Sequence, residues 1–306
     1  MTFPRMNCPR LSTYAALTAA LIAVPALADD HMVPTDLTDD ASNEALLVQE
    51  QLVDSEGDVS GVNVSGVVGV DLYSHFVSYG LDVWAEGNAF SGSETFNPYI
   101  EVGLDLGSFS VATGLWGDIN DNAVSGLGGD IQEVDWYVGV STDVDKFSVG
   151  VTYQAWMYGG GTEEILDVSL GYDDSEFWGD DDFSISPSLT IHNRIASSLG
   201  QEEGTVVVAG AEFAVDALED AGVSLGVPVA VAAVLDEDYF IAGGDDGFAF
   251  FSVGLSAGYS LGEVIGAEYG DWSLNAGVTY YATEDGVYNN PEDDFLVYNV
   301  GVSMAF

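Results

Sequence analysis

The sequence predicts an all-β fold, a transmembrane antiparallel β-barrel of about twelve strands with a signal peptide and a short acidic N-terminal tail ahead of it. Three observations carry this expectation. From residue 61 onward, apolar residues fall on alternate positions in segments of about ten or more residues, the period of a strand with one apolar face. The last segment keeps that alternation to the end, with Leu296, Tyr298, Val300, Val302, Met304 and Phe306 on one side. Finally, residues 222–235 are the best helical span after the leader, yet they fall short of the ~20 apolar residues a bilayer requires and contain Pro228.

The chain divides into three parts. Residues 1–28 have the form of a secretory signal peptide: a basic start at Arg5 and Arg10, an apolar run over 14–24, and a small-residue cleavage site at Ala26, Leu27 and Ala28. Residues 29–60 are a polar, acidic periplasmic tail, and residues 61–306 are the barrel. The single cysteine, Cys8, lies in the leader, so the mature chain has neither disulfides nor thiolate metal sites, and no cofactor is expected.

Charge narrows the partners. The chain holds 51 acidic and 4 basic residues, a formal net charge of −47. Once the leader is removed, Lys146 and Arg194 are the remaining cations among Lys and Arg. Such a protein repels phosphate, which makes nucleic acid and anionic ligands poor partners. The excess is also the composition that a high-salt habitat selects, a halophilic adaptation, so habitat and selectivity are both open explanations. A mean hydropathy of +0.19 argues against a disordered secreted chain.

Taken in order, the strands begin with residues 61–74, where Val62, Val64, Val68, Val70 and Leu72 share a face. The second, 96–106, sets Phe96, Ile100, Val102 and Leu104 against Asn97, Glu101 and Asp105, and Gly107-Ser108 turns into the third, from Phe109. The fourth alternates Val134, Trp136, Val138 and Val140 with Glu133, Asp135 and Tyr137; the fifth runs from Phe147 to Met157. Gly159 to Gly161 turns into the sixth, which spans 166–172, and the seventh is a continuous strand over 183–195. The eighth (205–216) and ninth (223–235) are apolar on both faces, which leaves their parity open. Residues 251–261, 272–280 and 295–306 complete the set.

Ten residues at ~3.3 Å each and a tilt near 40° rise about 25 Å, the height of an outer-membrane apolar band. Loops after odd strands (75–94, 118–130, 236–248, 283–294) are long and several turns after even strands are short, as expected of extracellular loops and periplasmic turns. A soluble β-sandwich shares the alternation, but strand length, leader and terminal aromatic favour the barrel, and with it the outer membrane. Twelve strands with no loop folded inside leave a bore of about 12 Å.

With apolar faces outward, the lumen receives Asp71, Glu101, Asp105, Glu133, Asp135, Asp167 and Glu212, together with His192 and Arg194. Carboxylates lining a pore favour cations, so the expected function is an outer-membrane channel, porin-like, for passive diffusion of ions and small hydrophilic solutes. A structural or adhesive barrel with a closed lumen is the alternative. Arg194 is expected to pair with Asp167, Glu163 or Glu202. Catalysis is not expected, since His192-Asn193-Arg194 lacks the serine two residues on that the outer-membrane phospholipase motif requires. Trp136 and Trp272 suit the lipid-facing aromatic girdle, while Trp116 and Trp156 fall inside near the mouth. Acid-rich loops (179–182, 236–238, 243–247) suit weak surface binding of divalent cations, and no metal site proper is expected. Other expected partners are outer-membrane lipid and the barrel assembly machinery, for which Phe306 would be the assembly signal.

The stretch from Val67 to Met157 also resembles a family of outer-membrane porins, the TorF-type group. The resemblance rests on residues 73–80, Gly114-Leu-Trp-Gly-Asp118, Glu133-Val-Asp-Trp-Tyr-Val-Gly139 and Gly150-Val-Thr-Tyr-Gln-Ala-Trp-Met-Tyr158. It implies a passive channel in the outer membrane. Where that family commonly carries arginines, His75-Phe-Val-Ser-Tyr-Gly80 has none.

Overall fold

Alternating side chains become a closed wall because every long strand pairs antiparallel with its neighbours in sequence. The computed structural model describes residues 63–84, 92, 94–174, 177, 183–215, 222–266 and 270–306. The leader and tail assigned to 1–60 lie outside the described residues. Among the described residues twelve long strands form the barrel. They are β1 (Asn63–Tyr73), β2 (Thr95–Asp105), β3 (Ser110–Ile119), β4 (Ile131–Val144), β5 (Phe147–Tyr158) and β6 (Gly161–Tyr172). The second half comprises β7 (Pro187–Ser197), β8 (Gly204–Val215), β9 (Val223–Val234), β10 (Gly247–Ser260), β11 (Asp271–Thr283) and β12 (Asp294–Ala305).

Closure comes from β1 meeting β12, from Val67 opposite Ala305 to Tyr73 opposite Asn299. Phe306 extends this seam: Gly66 N–H donates to the Phe306 carbonyl at 2.8 Å, and Phe306 N–H donates to the Gly66 carbonyl at 2.9 Å. No open strand edge remains in the ring, as the bilayer demands. The outer face carries Leu72, Ile100, Leu115, Val140, Leu255 and Val300, all exposed. So continuous an apolar exterior on a closed barrel belongs in an outer membrane. Trp136 stands on that face at 40% exposure.

The strand bounds depart most from the sequence expectation in two places. The sixth strand starts at Gly161, because the Gly159-Gly160 connection is tight enough for pairing to begin at once, with Tyr158 opposite Gly161. The seventh is broken. Phe183–Ser184 pairs with β8, Ser186 takes a positive φ of 45°, and β7 begins only at Pro187. The Asp174 carboxylate causes the break by accepting the N–H groups of Ile185 (3.1 Å) and Ser186 (2.9 Å), which no ladder then uses. A one-turn helix, α1 (Gly262–Ile265), follows β10.

The lumen is not an open bore. The loop after β1 folds inward as a small hairpin, in which Val77–Ser78 pairs with Leu81–Asp82 around Tyr79-Gly80. Both tip residues have positive φ, 47° and 88°, the twist of a type I′ turn, which is unusual for a tyrosine. A side chain at Gly80 would run into Phe250 and Tyr288. Phe76 lies against Trp116 (5.4 Å between centroids), and Tyr79 stacks on His192 at 4.0 Å. Val77 and Tyr79 are buried, as are Val206, Val208, Ala230, Ala232 and Val234 on the facing wall. This settles the parity of β8 and β9: both faces are apolar because the inner one packs against folded-in chain while the outer one meets lipid. The other half of the lumen, toward Phe306, is lined by small, half-exposed residues such as Ser256, Gly258, Asn275 and Gly277.

Two outcomes should follow from this architecture. The protein should migrate differently on SDS gels before and after boiling; unchanged mobility would contradict a closed barrel. Deleting Phe306 removes two seam hydrogen bonds along with the terminal ring, so membrane insertion should fall severalfold in a fractionation assay. Normal insertion of the truncated chain would show that the seam closes without it.

Candidate functional site

Inward parity delivers the polar groups, and the ladder decides which of them meet. Asp71, Glu101, Glu133, Asp135, Asp167, His192, Arg194 and Glu212 are all buried inside the barrel. Asp105 keeps the inward parity but lies exposed at the rim, where its carboxylate accepts the Gly107 N–H of the β2–β3 turn at 2.7 Å. The groups do not form one even ring. Most project from the β2–β7 wall, whereas Glu212 sits on β8, near Ser256 of β10 (3.4 Å).

The middle of that wall holds two linked pairs. Tyr137 arches over Gly114, where any Cβ would collide with its ring, and its hydroxyl donates to Glu101 at 2.9 Å. Asp167 receives the Gln154 amide at 2.5 Å and lies 2.7 Å from His192 Nδ1. Gln154 in turn accepts Trp156 Nε1–H at 2.9 Å. The His192 ring is stacked between Tyr79 and Trp156, with centroids at 4.0 and 5.4 Å.

Arg194 is tied on several sides. A bulge in the β6–β7 register falls between Arg194 and Ala196 and re-aims the strand there. Its Nε donates to Glu163 at 2.5 Å, and one terminal nitrogen donates to the carbonyls of Glu202 (3.1 Å) and Tyr239 (2.9 Å). The guanidinium also lies 4.1 Å above the Tyr239 ring. Of the three expected carboxylate partners, Glu163 is the one bonded by its side chain; Asp167 goes to His192 instead, and Glu202 contributes its backbone.

Sequence reading missed Asp118 and the hairpin tip. Asp118, fully buried, accepts Thr95 Oγ1–H and the side-chain amide of Asn120 at 2.8 Å, with Trp84 Nε1 at 3.3 Å. Extending the inward series Gly114, Trp116 by one step would have found it. The tip is clasped from the last long loop: Tyr288 donates its hydroxyl to the Tyr79 carbonyl and Asn290 its amide to the Gly80 carbonyl at 2.8 Å. Burial, with the Tyr239 phenol nearby, pushes the Tyr288 hydroxyl well above its usual range, so it remains a donor. Nothing in the residue types around 79 announces a partner more than two hundred residues away.

The acid-rich loops spend carboxylates on backbone amides. Asp236 accepts Thr205 N–H at 2.8 Å, and Asp238 accepts Gly243 N–H. The 179–182 stretch lies outside the described residues. Among the described residues no three His, Cys, Asp or Glu side chains gather as a metal site.

The Arg194–Glu163 pair makes the sharpest test of this wall. Breaking a buried pair by removing one partner costs about 3–5 kcal/mol, because a lone charge remains. Arg194→Met should therefore lower the unfolding midpoint in urea strongly, and Arg194→Met with Glu163→Gln should recover most of the loss.

No protein-family model matches this chain, and no curated protein matches it. Among solved structures, an outer membrane channel from Pseudomonas putida F1 aligns with a TM-score of 0.45 at 10% identity, covering 82% of this chain and 99% of that one. The NanC porin aligns with a TM-score of 0.43 at 12% identity, covering 79% and 99%. The KdgM porin aligns with a TM-score of 0.43 at 9% identity, covering 78% and 99%. The barrel assignment rests on the closed strand ladder itself.

Proposed function

We propose that the protein is a porin-like outer-membrane channel for passive diffusion of ions and small hydrophilic solutes, with a preference for cations. The observation that carries this reading is a closed barrel whose β2–β7 inner wall is polar, and whose buried acids at Asp71, Glu101, Glu133, Asp135, Asp167 and Glu212 meet Arg194 as the one buried Lys or Arg among the described residues. A field of that sign favours cations and repels anions. The inward hairpin narrows the path without adding positive charge, since residues 75–80 hold no arginine or lysine. The TorF-type resemblance supports the same reading, for its motifs supply Trp116, Asp118, Glu133, Asp135 and Trp156 to the inner wall. In this account His192 is a structural member, held by Asp167 and stacked aromatics rather than poised for catalysis. Weak divalent binding belongs to the acidic loops, and recognition by the assembly machinery to Phe306.

A closed structural or adhesive barrel is the second reading, and the buried hairpin is what favours it. Conductance separates the two. In a planar bilayer under a dilute KCl gradient, the reversal potential should lie on the potassium side. Neutralising Glu101, Glu133 and Asp135 should move it toward zero. Screening shortens from ~8 Å at physiological salt to ~3 Å at 1 M, so selectivity should fade as salt rises. Removing residues 76–81 should raise conductance severalfold. A chloride-side reversal would overturn the cation preference; silence from both wild type and the hairpin deletion would establish the closed barrel.

A further inference from the structure

Between the inward hairpin and the β3–β6 wall lies a cavity of about 230 Å³. Four cross-strand neighbours place its chemistry. Trp116 on β3 is opposite Asp135 on β4, Asp135 is opposite Trp156 on β5, and Trp156 is opposite Glu163 on β6. Directly paired residues hold their Cβ atoms ~4.5–5.5 Å apart, so one carboxylate stands between two indoles. Glu133, two residues away on the same face of β4, also lines the cavity, and Phe76 and Phe240 border it from the loops.

Two atoms there lack a partner although their residues are 2% exposed: Asp135 Oδ1 and Trp116 Nε1. The contrast with Asp118 is direct, because that equally buried acid collects hydroxyl, amide and indole donors. The nearest fixed cation does not help. Arg194 borders the cavity but is spent on Glu163, two carbonyls and the Tyr239 ring. Glu133 accepts the Tyr158 hydroxyl and shares a hydrogen bond with Asp135, but neither carboxyl has a protein cation assigned to it, an arrangement that favours an incoming positive charge. A bare metal ion is the poorer guest, since no metal-ligand group gathers there among the described residues and two indoles and two phenyl rings share the wall with the oxygen groups. Aromatic faces around a carboxylate suit an organic cation, which gains from the ring quadrupole as well as the charge. The volume, under the ~300–1,000 Å³ typical of drug-sized ligand sites, calls for a small one.

We propose that this cavity binds a small organic ammonium ion, its charge on Asp135 and Glu133 between the Trp116 and Trp156 rings and its oxygen accepting the Trp116 indole N–H. An amino alcohol such as choline has these parts: a positive head and a hydroxyl. The site deepens the proposed cation preference by naming a class of cation, but its test reads occupancy rather than current, so either can fail while the other stands.

The test uses the full barrel in detergent, its fold checked by heat-dependent gel mobility. Tryptophan fluorescence is titrated with choline chloride against sodium chloride at equal ionic strength, and binding heat is measured with choline and with its uncharged carbon isostere, 3,3-dimethylbutan-1-ol. Choline should give a saturable response that sodium does not, with at least tenfold preference over the isostere. Asp135→Asn should weaken that response tenfold or more, while Asp143→Asn, at the exposed far end of the same strand, should leave it unchanged. Equal responses to choline and sodium would overturn the proposal, as would equal affinity for the isostere, which needs no variant at all. Unaltered choline binding by folded Asp135→Asn would overturn it too.

Discussion

The seam between β1 and β12 is the contact on which the rest of the molecule depends. In hydrocarbon there is no water to satisfy an unpaired amide, and each one left open costs several kcal/mol. The seam pairs residues 67–73 with 299–305, a shorter run than the β1–β2 ladder, which extends from Asn63 to Tyr73. The paired backbone of Gly66 and Phe306 lengthens it by a step. Once this edge is sealed, the period-2 pattern sorts strand residues to lipid or lumen, except where a bulge shifts the register.

What fills the lumen is then a contest between inward side chains and inward loops. On the β2–β7 wall the side chains are polar, and they hold one another in pairs such as Glu101 with Tyr137 and Asp167 with His192. On β8 and β9 most of the buried inner side chains are Val and Ala, with Glu212 apart from them, and the space is taken by the hairpin and by Tyr239. An apolar inner wall in a barrel is therefore the imprint of a loop. The alternative, valine facing water along a pore, would forgo the burial that makes such residues favourable.

Much of the wall was legible in the sequence, because strict alternation leaves few solutions. The twelve segments, their faces at β2, β4, β5 and β10–β12, and the inward placement of Glu133, Asp135, Asp167 and Arg194 all follow from period 2 alone. Parity failed where its premise failed. β8 and β9 carry apolar residues on both faces, and the strand expected over 183–195 is interrupted by a carboxylate from outside it, Asp174. Rim position was also hidden: Asp105 has the right face, yet its height on the strand sets it in solvent. The hairpin was illegible for a different reason. Its contacts with His192, Phe250 and Tyr288 join distant parts of the chain, and no local pattern encodes them.

The clasp on that hairpin ties the two ends of the chain together. Tyr79 and Gly80 come early in the chain, while the groups that hold their carbonyls, Tyr288 and Asn290, lie 209 and 210 residues later, just before the final strand. A tyrosine with φ of 47° is strained by about 1–3 kcal/mol and persists only when its surroundings over-determine it. Those surroundings do not exist until β11 and the loop after it are in place. The seat of the tip is therefore complete only when the segment that leads into the last strand is folded against it. A sheet without its last hairpin is thus open twice over, along its edge and through its middle, and the same C-terminal segment closes both.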